Sequence, residues 1–408
     1  MTTVELTPGE PGQPRTHALV VGVGAYRHLR KGAQPKRNDP LFSLGQLTSP
    51  TISARHFTDW LLKDFHNSSA ELGTVELLLS EPRPSLAEHD SGPSSEVEYL
   101  SPDGTRSWPI EPATIDNLED AFWRWRDRCH EHPGNVAIFY YCGHGVLLED
   151  ANVLLAEDYG AKRPRFDGAF NFSAMRRGME ESCSAGLQMF FIDACSTRPP
   201  DPPKLLTSGA RIFDDDQTTT LTSPGGLALH AAANGNSAYG TIGQVSRFTE
   251  ALVRCLKGLA SQRRSGQWVI RIDHLQESIN DVMDFLPKID GGNRQESMLL
   301  WSKGKGILLE SDRPPLVPVV VRLVPDSAAL EANLALIAST DPALVWQFSG
   351  GPDSTLNGDG WWIDGVPAGK YDLRADFPKG RFRAQTVEVV ITPPGPDPDP
   401  HPLSCEEV

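Results

Sequence analysis

No run of about 18 apolar residues occurs in the 408-residue chain, so no helix that crosses a membrane is expected. The opening stretch, MTTVELTPGEPGQPRTH, lacks the apolar segment of a secretory signal, and the reducing cytoplasm is the expected compartment. No CxxC pair occurs. Six cysteines, at 129, 142, 183, 195, 255 and 405, are too few for a disulfide scaffold, and most read as small buried hydrophobes. Basic residues are in the minority, 38 against 53 acidic ones, giving a net charge of −15. That balance argues against nucleic acid and anionic membrane as partners, since both require clustered Lys and Arg. The segment GVGAYR has Arg27 where a dinucleotide loop needs its third glycine.

What is present is an alternation of short apolar runs with helical patterns. HALVVGV (17–23), TVELLLS (74–80), NVAIFYYCG (135–143), GLQMFFIDACS (186–196), GLALHAAAN (226–234) and ESMLLWS (296–302) read as buried strands. Helices are expected from Ser49-Pro50, from about Pro112 to Glu131, from Asn171 to Cys183, and over 246–259 and 272–286. Buried strands alternating with helices make an α/β domain around a mostly parallel sheet. EVEYL and TRSWPI, either side of Pro102-Asp103-Gly104, read as a hairpin.

The character changes at Asp312-Arg313-Pro314-Pro315. Six short strand-like runs follow up to residue 392, separated by Gly, Pro and Asp turns, which reads as a small β-sandwich. GVPAGKYDLRADFP is similar to the last hairpin of transthyretin-like sandwiches. The expected organisation is therefore a disordered segment over 1–15, an α/β domain over 16–310, a β-sandwich over 311–393 and a Pro-rich tail over 394–408.

In an open parallel sheet, reactive groups collect beyond the carboxyl ends of the strands. One apolar strand runs into Tyr141-Cys142-Gly143-His144-Gly145 and another into Asp193-Ala194-Cys195-Ser196. A lone histidine or cysteine at such a place is ordinarily structural. If the two strands are neighbours, however, imidazole and thiol meet across the rim. A thiol with a pKa of about 8.5 is mostly protonated at neutral pH, and an imidazole beside it removes that proton and later protonates a leaving amine. Gly145 carries no side chain, so its amide can approach a substrate carbonyl and form, with the amide of Cys195, an oxyanion hole. Such chemistry requires no cofactor and no metal. Cys142 reads as a core residue facing away from His144. Cys129, His130, His132, Cys142 and His144 lack zinc-ligand spacing, and Asp214-Asp215-Asp216 reads as a solvated loop rather than a calcium site.

These segments, in this order, resemble the caspase-like cysteine peptidases, the clan of caspases and metacaspases. HALVVGVGAYRHL is similar to the opening strand and loop of that family, NVAIFYYCGHGV to its histidine segment, and LQMFFIDACST to its nucleophile segment. His144 precedes Cys195 by 51 residues, against about 50 in the caspase signature. ALHAAANGNSAYG followed by SRFTEALV resembles the substrate-binding strand and the helix after it. The resemblance spans about residues 16–305 and implies a six-stranded αβα sandwich. It implies a cysteine endopeptidase in which His144 is the base and Cys195 the nucleophile. It also implies that Asp193 and Asn234 line the primary pocket.

In metacaspases a second pocket acid comes from an Asn-Asp pair in the first long helix, where this chain has Ile52-Ser53. One carboxylate thus remains to favour cleavage after Arg or Lys. The Q-x-C of animal caspases is absent, which disfavours cleavage after Asp. The loop 197–224 carries Lys204 and Arg211 as self-processing sites, while Arg198 is followed by proline. The expected partners are a protein or peptide substrate and an activating protein bound through the C-terminal domain. The alternative reading is a silent or partner-triggered scaffold that binds proteins through that same domain.

Overall fold

A computed structural model describes residues 3–5, 12–39, 41–82, 97–148, 151–162, 165–195, 210–213, 224–231, 242–286, 295–304, 306–349, 356–357, 360–395 and 401–408. Two compact units are present: Met1–Val253 with Arg271–Leu309, and Arg254–Ile270 with Glu310–Val408.

The first unit is an α/β structure. Its elements are β1 (Thr3–Glu5), β2 (Arg15–Val23), α1 (Ser49–Lys63), β3 (Glu71–Ser80), β4 (Val97–Leu100), β5 (Ser107–Ile110), α2 (Ile115–His130), β6 (Val136–Gly143), β7 (Gly145–Leu148), β8 (Ala151–Leu155), β9 (Ala169–Asn171), α3 (Phe172–Ser182), β10 (Leu187–Ala194), β11 (Gly225–His230) and α4 (Arg247–Arg254). The hairpin strands β12 (Ser261–Arg264) and β13 (Gln267–Arg271) fall almost wholly in the second unit; α5 (Ile272–Phe285) and β14 (Met298–Lys303) belong to the first, and β15 (Ile307–Ser311) runs across its end.

The central sheet has seven strands in the order β1-β3-β2-β6-β10-β11-β14. The five inner strands are parallel, and both edges, β1 and β14, run antiparallel. Six of the seven strands are those read from the apolar runs. The seventh corrects the expectation that residues 1–15 are disordered. Thr3–Glu5 pairs with β3, and the Thr3 hydroxyl donates to Glu76 Oε1 at 2.7 Å. Glu76 is fully buried on β3 and also receives Arg124 and Arg128 from α2, which neutralise a charge that would be costly alone.

Alternate residues of the inner strands face opposite layers, and both faces are aromatic. Phe139 and Phe190 meet Phe172 at the head of α3, and Phe139 also meets Trp125 of α2. Tyr140 stacks on Phe57 of α1 with centroids 4.5 Å apart, and Phe191 reaches the same ring. A strand buried on both faces carries no polar alternation, which is why these segments read as continuous apolar runs.

Thr114 caps α2, its hydroxyl accepting the Asn117 amide, and Asn171 caps α3 by accepting the Ala174 amide. Ser49, expected as the cap of α1, lies instead inside the first turn beside Pro50, and the cap position falls to Thr48.

The second unit holds two four-stranded sheets. Its further elements are β16 (Leu316–Val324), α6 (Asp326–Ala329), β17 (Asn333–Ala338), β18 (Val345–Ser349), β19 (Leu356–Asn357), β20 (Gly360–Pro367), β21 (Gly369–Asp376), β22 (Gln385–Ile391) and β23 (His401–Ser404). The sheet orders are β19-β20-β16-β23 and β18-β17-β21-β22. GVPAGKYDLRADFP is thus not a hairpin. The chain leaves one sheet after Pro367 and enters the other at Gly369, and the hairpin is β21 with β22. The tail expected over 394–408 includes β23, which pairs parallel with β16 at an edge of its sheet. An edge position tolerates the missing amide of Pro402.

Candidate active site

Strands β6 and β10 are adjacent and parallel, with Asp193 opposite Cys142 and Ala194 opposite Gly143. His144 and Cys195 each follow directly on these paired strand ends. His144 is 5% exposed, whereas Cys195 is partly exposed, unlike the other five cysteines, which are buried. The two strands that run into the histidine and the cysteine are therefore neighbours, the condition the sequence reading set.

The histidine is held from three sides. Its ring Nε2 lies 3.0 Å from the Gly45 carbonyl oxygen, which can only accept, so Nε2 carries a proton. The neutral ring then presents an unprotonated Nδ1. The His144 amide donates to the Tyr26 hydroxyl at 2.7 Å, and the Tyr26 ring lies tilted against the imidazole at 4.7 Å. The Tyr141 hydroxyl donates to the carbonyls of His144 and Leu155, at 3.0 and 2.8 Å. Burial lowers the His144 pKa from 6.5 to about 4.

The flanking glycines fit a crowded backbone. A Cβ on Gly143 would lie 2.7 Å from both the Tyr26 and Tyr141 hydroxyl oxygens, and one on Gly145 would lie 2.8 Å from the Cys195 carbonyl oxygen. Gly145 pairs with Leu154 across the β7–β8 ladder, while the Leu155 amide bonds the His144 carbonyl. Hydrogen-bonded and non-bonded pairs alternate in an antiparallel ladder, so the Gly145 amide is turned away from β8.

Asp193 lies in a buried polar cluster beneath α1 and α4. Its Oδ2 accepts the Ser246 hydroxyl and, at 2.6 Å, the Thr249 hydroxyl, and the Cys142 thiol is a third partner. Burial raises the pKa of its carboxyl group. Ser53 of α1 belongs to the same cluster: its Oγ accepts the Ser246 amide at 2.9 Å and it hydrogen-bonds Cys142. The position aligned with the second pocket acid thus lies beside Asp193 in space. Cys142 is buried in this cluster, as expected of a core residue, and burial pushes its thiol pKa well up. Asn234, Lys204, Arg198 and Asp214 to Asp216 lie outside the described residues. Among the described residues no group of three His, Cys, Asp or Glu side chains is arranged to hold a metal ion.

The family profile named "Caspase domain" matches residues 15–295. The chain belongs to the caspase-domain family. The chain is 25% identical over 317 residues to an uncharacterized protein of Sinorhizobium fredii, y4kE, covering 74% of this chain and 84% of that one. A crystal structure of protein GSU0716 from Geobacter sulfurreducens aligns with a TM-score of 0.36 at 12% identity, covering 70% of this chain and 93% of that one.

Three features around His144 carry little or no signal in the sequence. Tyr26 was passed over within the opening loop, and nothing in its neighbours marks it as a support for a residue 118 positions later. Gly45 contributes only a carbonyl, which no side-chain pattern reports. The small sheet β7-β8-β9 behind His144 was also missed, although Val146, Leu147 and Leu148 after the histidine are a detectable apolar run.

Arg211, expected as a cleavage site in an open loop, is anchored. Its backbone bonds Ala169 and Asn171, and its guanidinium meets Asp116, Glu119 and Asp167 at 2.8, 2.6 and 3.3 Å. Phe213, two residues on, is buried between Phe122 and Phe170.

Proposed function

We propose that the chain is a cysteine endopeptidase that cleaves peptide bonds after Arg or Lys. The observation that supports this reading is the β6–β10 pairing, whose neighbouring strand ends lead directly into His144 and Cys195, with His144 Nε2 committed to the Gly45 carbonyl. Nδ1 of His144 accepts the thiol proton. The thiolate of Cys195 attacks the scissile carbonyl, and the oxyanion settles between the amides of Gly145 and Cys195. The imidazolium then protonates the leaving amine, and water attacks the thioester to release the acyl product and restore the thiol. The Gly45 carbonyl and the Tyr26 hydroxyl keep the ring in place through the cycle. Family membership supports the reaction class.

The basic preference rests on Asp193, whose Oδ1 retains acceptor capacity while Oδ2 is occupied by Ser246 and Thr249. A guanidinium reaching that carboxylate forms a charge-assisted bond. Asn234 completes the pocket in this reading.

The test is hydrolysis of fluorogenic Arg and Lys peptides by the full chain and by Cys195→Ala and His144→Ala, each checked for fold by its urea transition. Both variants are expected to lose cleavage to a similar degree, because the pair acts as a unit. Retained cleavage by Cys195→Ala would falsify the assignment. The partner-binding scaffold makes the contrary prediction that iodoacetamide does not label Cys195 preferentially.

A further inference from the structure

We propose that Arg30 is a specificity-determining residue, reading an acidic side chain next to the scissile bond. This rests on the peptidase reading above and extends it from the residue before the cut to its neighbours. The loop between β2 and α1 supplies the Gly45 carbonyl to His144. The same loop is basic, with Arg27, Arg30, Lys31, Lys36 and Arg37, in a chain of net charge −15.

Two of these cations are engaged. Arg27 pairs with Glu157 at 2.6 Å, and the Lys36 ammonium donates to the carbonyls of Gly160 and Ala161. Arg30 is different. Its side chain is exposed, and among the described residues it has no carboxylate partner. Its place is nevertheless fixed. Gln46 holds the Arg30 carbonyl at 3.0 Å, and the guanidinium lies against Gly45, with its Nε 3.6 Å and a terminal nitrogen 3.8 Å from where a Gly45 Cβ would be. Gly45 therefore both accepts from His144 through its carbonyl and has the Arg30 guanidinium as a neighbour.

A cation held one residue from the general base and open to solvent forms a bidentate bond with a carboxylate more readily than a mobile ammonium would. The molecule's overall charge repels acidic peptides at long range, so recognition of an acidic residue here requires such a local positive group.

The experiment uses the full chain and has two arms. In the first, alkylation of Cys195 by iodoacetate, an anion, is compared with alkylation by neutral iodoacetamide, with the modified peptide identified by mass spectrometry. Arg30→Gln is expected to lower the iodoacetate-to-iodoacetamide rate ratio about three- to five-fold, as loss of one nearby screened charge implies. Arg30→Lys should restore most of it, and molar salt should erase the difference between wild type and Arg30→Gln.

In the second arm, peptides with Asp or Ala scanned through the positions flanking an Arg-X bond are cleaved. One position is expected to favour Asp in wild type, and that preference should fall at least five-fold in Arg30→Gln. A labelled Cys195 whose rate ratio ignores Arg30→Gln overturns the inference and leaves the peptidase reading intact. Cleavage with no acidic preference at any position overturns it too. A Cys195 that neither reagent modifies overturns both.

Discussion

His144 Nε2 is 3.0 Å from the carbonyl oxygen of Gly45, a residue 99 positions earlier in the chain. That bond decides which nitrogen of the neutral ring bears the proton, Nε2, and leaves Nδ1 without one. In the proposed mechanism this backbone carbonyl takes the place that a carboxylate has in a serine protease triad, without adding a charge to a buried site. The His144 amide is held just as specifically, by the Tyr26 hydroxyl.

Tyr26→Phe removes the acceptor for that amide. Because His144 is buried, its N–H is then left unpaired, at a cost of about 1–3 kcal/mol. Urea unfolding of the variant is expected to fall within that range, and kcat on an arginine peptide to fall with little change in KM, since the phenol orients the base rather than binding substrate. Wild-type stability in Tyr26→Phe would refute the role.

The second expectation concerns pH. Burial holds His17 and His144 at about 4, against an ordinary 6.5. The unfolded chain therefore binds more protons than the folded one between about 6.5 and 4, and stability falls as pH drops through that window. Two such groups bound the slope at about 2.7 kcal/mol per pH unit. The buried carboxyl groups of Asp158 and Asp193, with raised pKa values, oppose it at the acid end. Urea transitions from pH 7 to 5 should lose stability progressively, and His17→Gln should remove about one proton from the slope. The acid limb of kcat/KM should lie near 4 rather than 6.5, because His144 must be neutral to act as base. An acid limb at 6.5 would mean that the imidazole is solvated in the working enzyme.

Much of this was legible in the chain. The apolar runs that end at Gly143 and Ala194 mark buried parallel strands, and His144 and Cys195 follow them directly. Sequence cannot state that β6 and β10 are neighbours, yet the shared family order makes it the expected topology. The parts that were not legible act through the backbone or through a single long-range partner. Gly45 offers a carbonyl, Tyr26 a lone hydroxyl, and Thr3–Glu5 is a strand too short to carry periodicity. Its signal was indirect: Glu76, in the middle of an apolar strand, requires partners from outside that strand. The anchoring of Arg211 was hidden for a related reason, since its three acids come from α2 and from the turn before β9.

That anchor changes where self-processing is expected. A peptide bond must leave its hydrogen bonds to enter an active site, and exposed, unpaired segments are nicked first. The amide and carbonyl of Arg211 are both bonded, and its side chain is clamped. Of the two basic residues in the loop suited to the pocket, Lys204 is therefore the expected site. Mass spectrometry of active protein should find a cut after Lys204 that is absent from Cys195→Ala. A cut after Arg211 would contradict the anchor. Arg211→Ala should itself lower stability by about 1 kcal/mol, a modest figure because Asp116 and Glu119 are more than a third exposed.

Gly145→Ala tests the crowding around Cys195, the proposed nucleophile. Its Cβ would meet the Cys195 carbonyl oxygen at 2.8 Å and the Ala194 Cβ at 3.1 Å, and neither belongs to a flexible side chain that can swing aside. The backbone at Cys195 must shift, which displaces both the thiol and one oxyanion amide. A displacement near 1 Å costs about 100-fold in rate. Cleavage should fall by about that factor while iodoacetamide still labels Cys195, because the thiol persists and only its alignment is lost. Loss of labelling together with cleavage would point to a collapsed site instead.

Asp193 separates selectivity from scaffolding. Its Oδ2 receives hydroxyls from Ser246 and from Thr249 at the start of α4, so the carboxylate supports that helix whatever else it does. If it also meets the basic side chain of the substrate, removing it costs about 2–5 kcal/mol of desolvated pairing. That is roughly 30- to 4000-fold in kcat/KM for arginine peptides. Asp193→Asn keeps an acceptor oxygen and comparable shape but deletes the charge, so α4 should stay in place and its urea transition should move little. Its arginine cleavage should nevertheless fall within that range, and cleavage after neutral residues much less. Ser246→Ala makes the opposite change, freeing an acceptor site on Oδ2 while retaining the charge, and arginine peptides should be cleaved at least as well as by wild type. If Asp193→Asn keeps its preference for Arg, or if a peptide library is cut after Asp or apolar residues with Arg excluded, the carboxylate is a structural support and the basic pocket lies elsewhere.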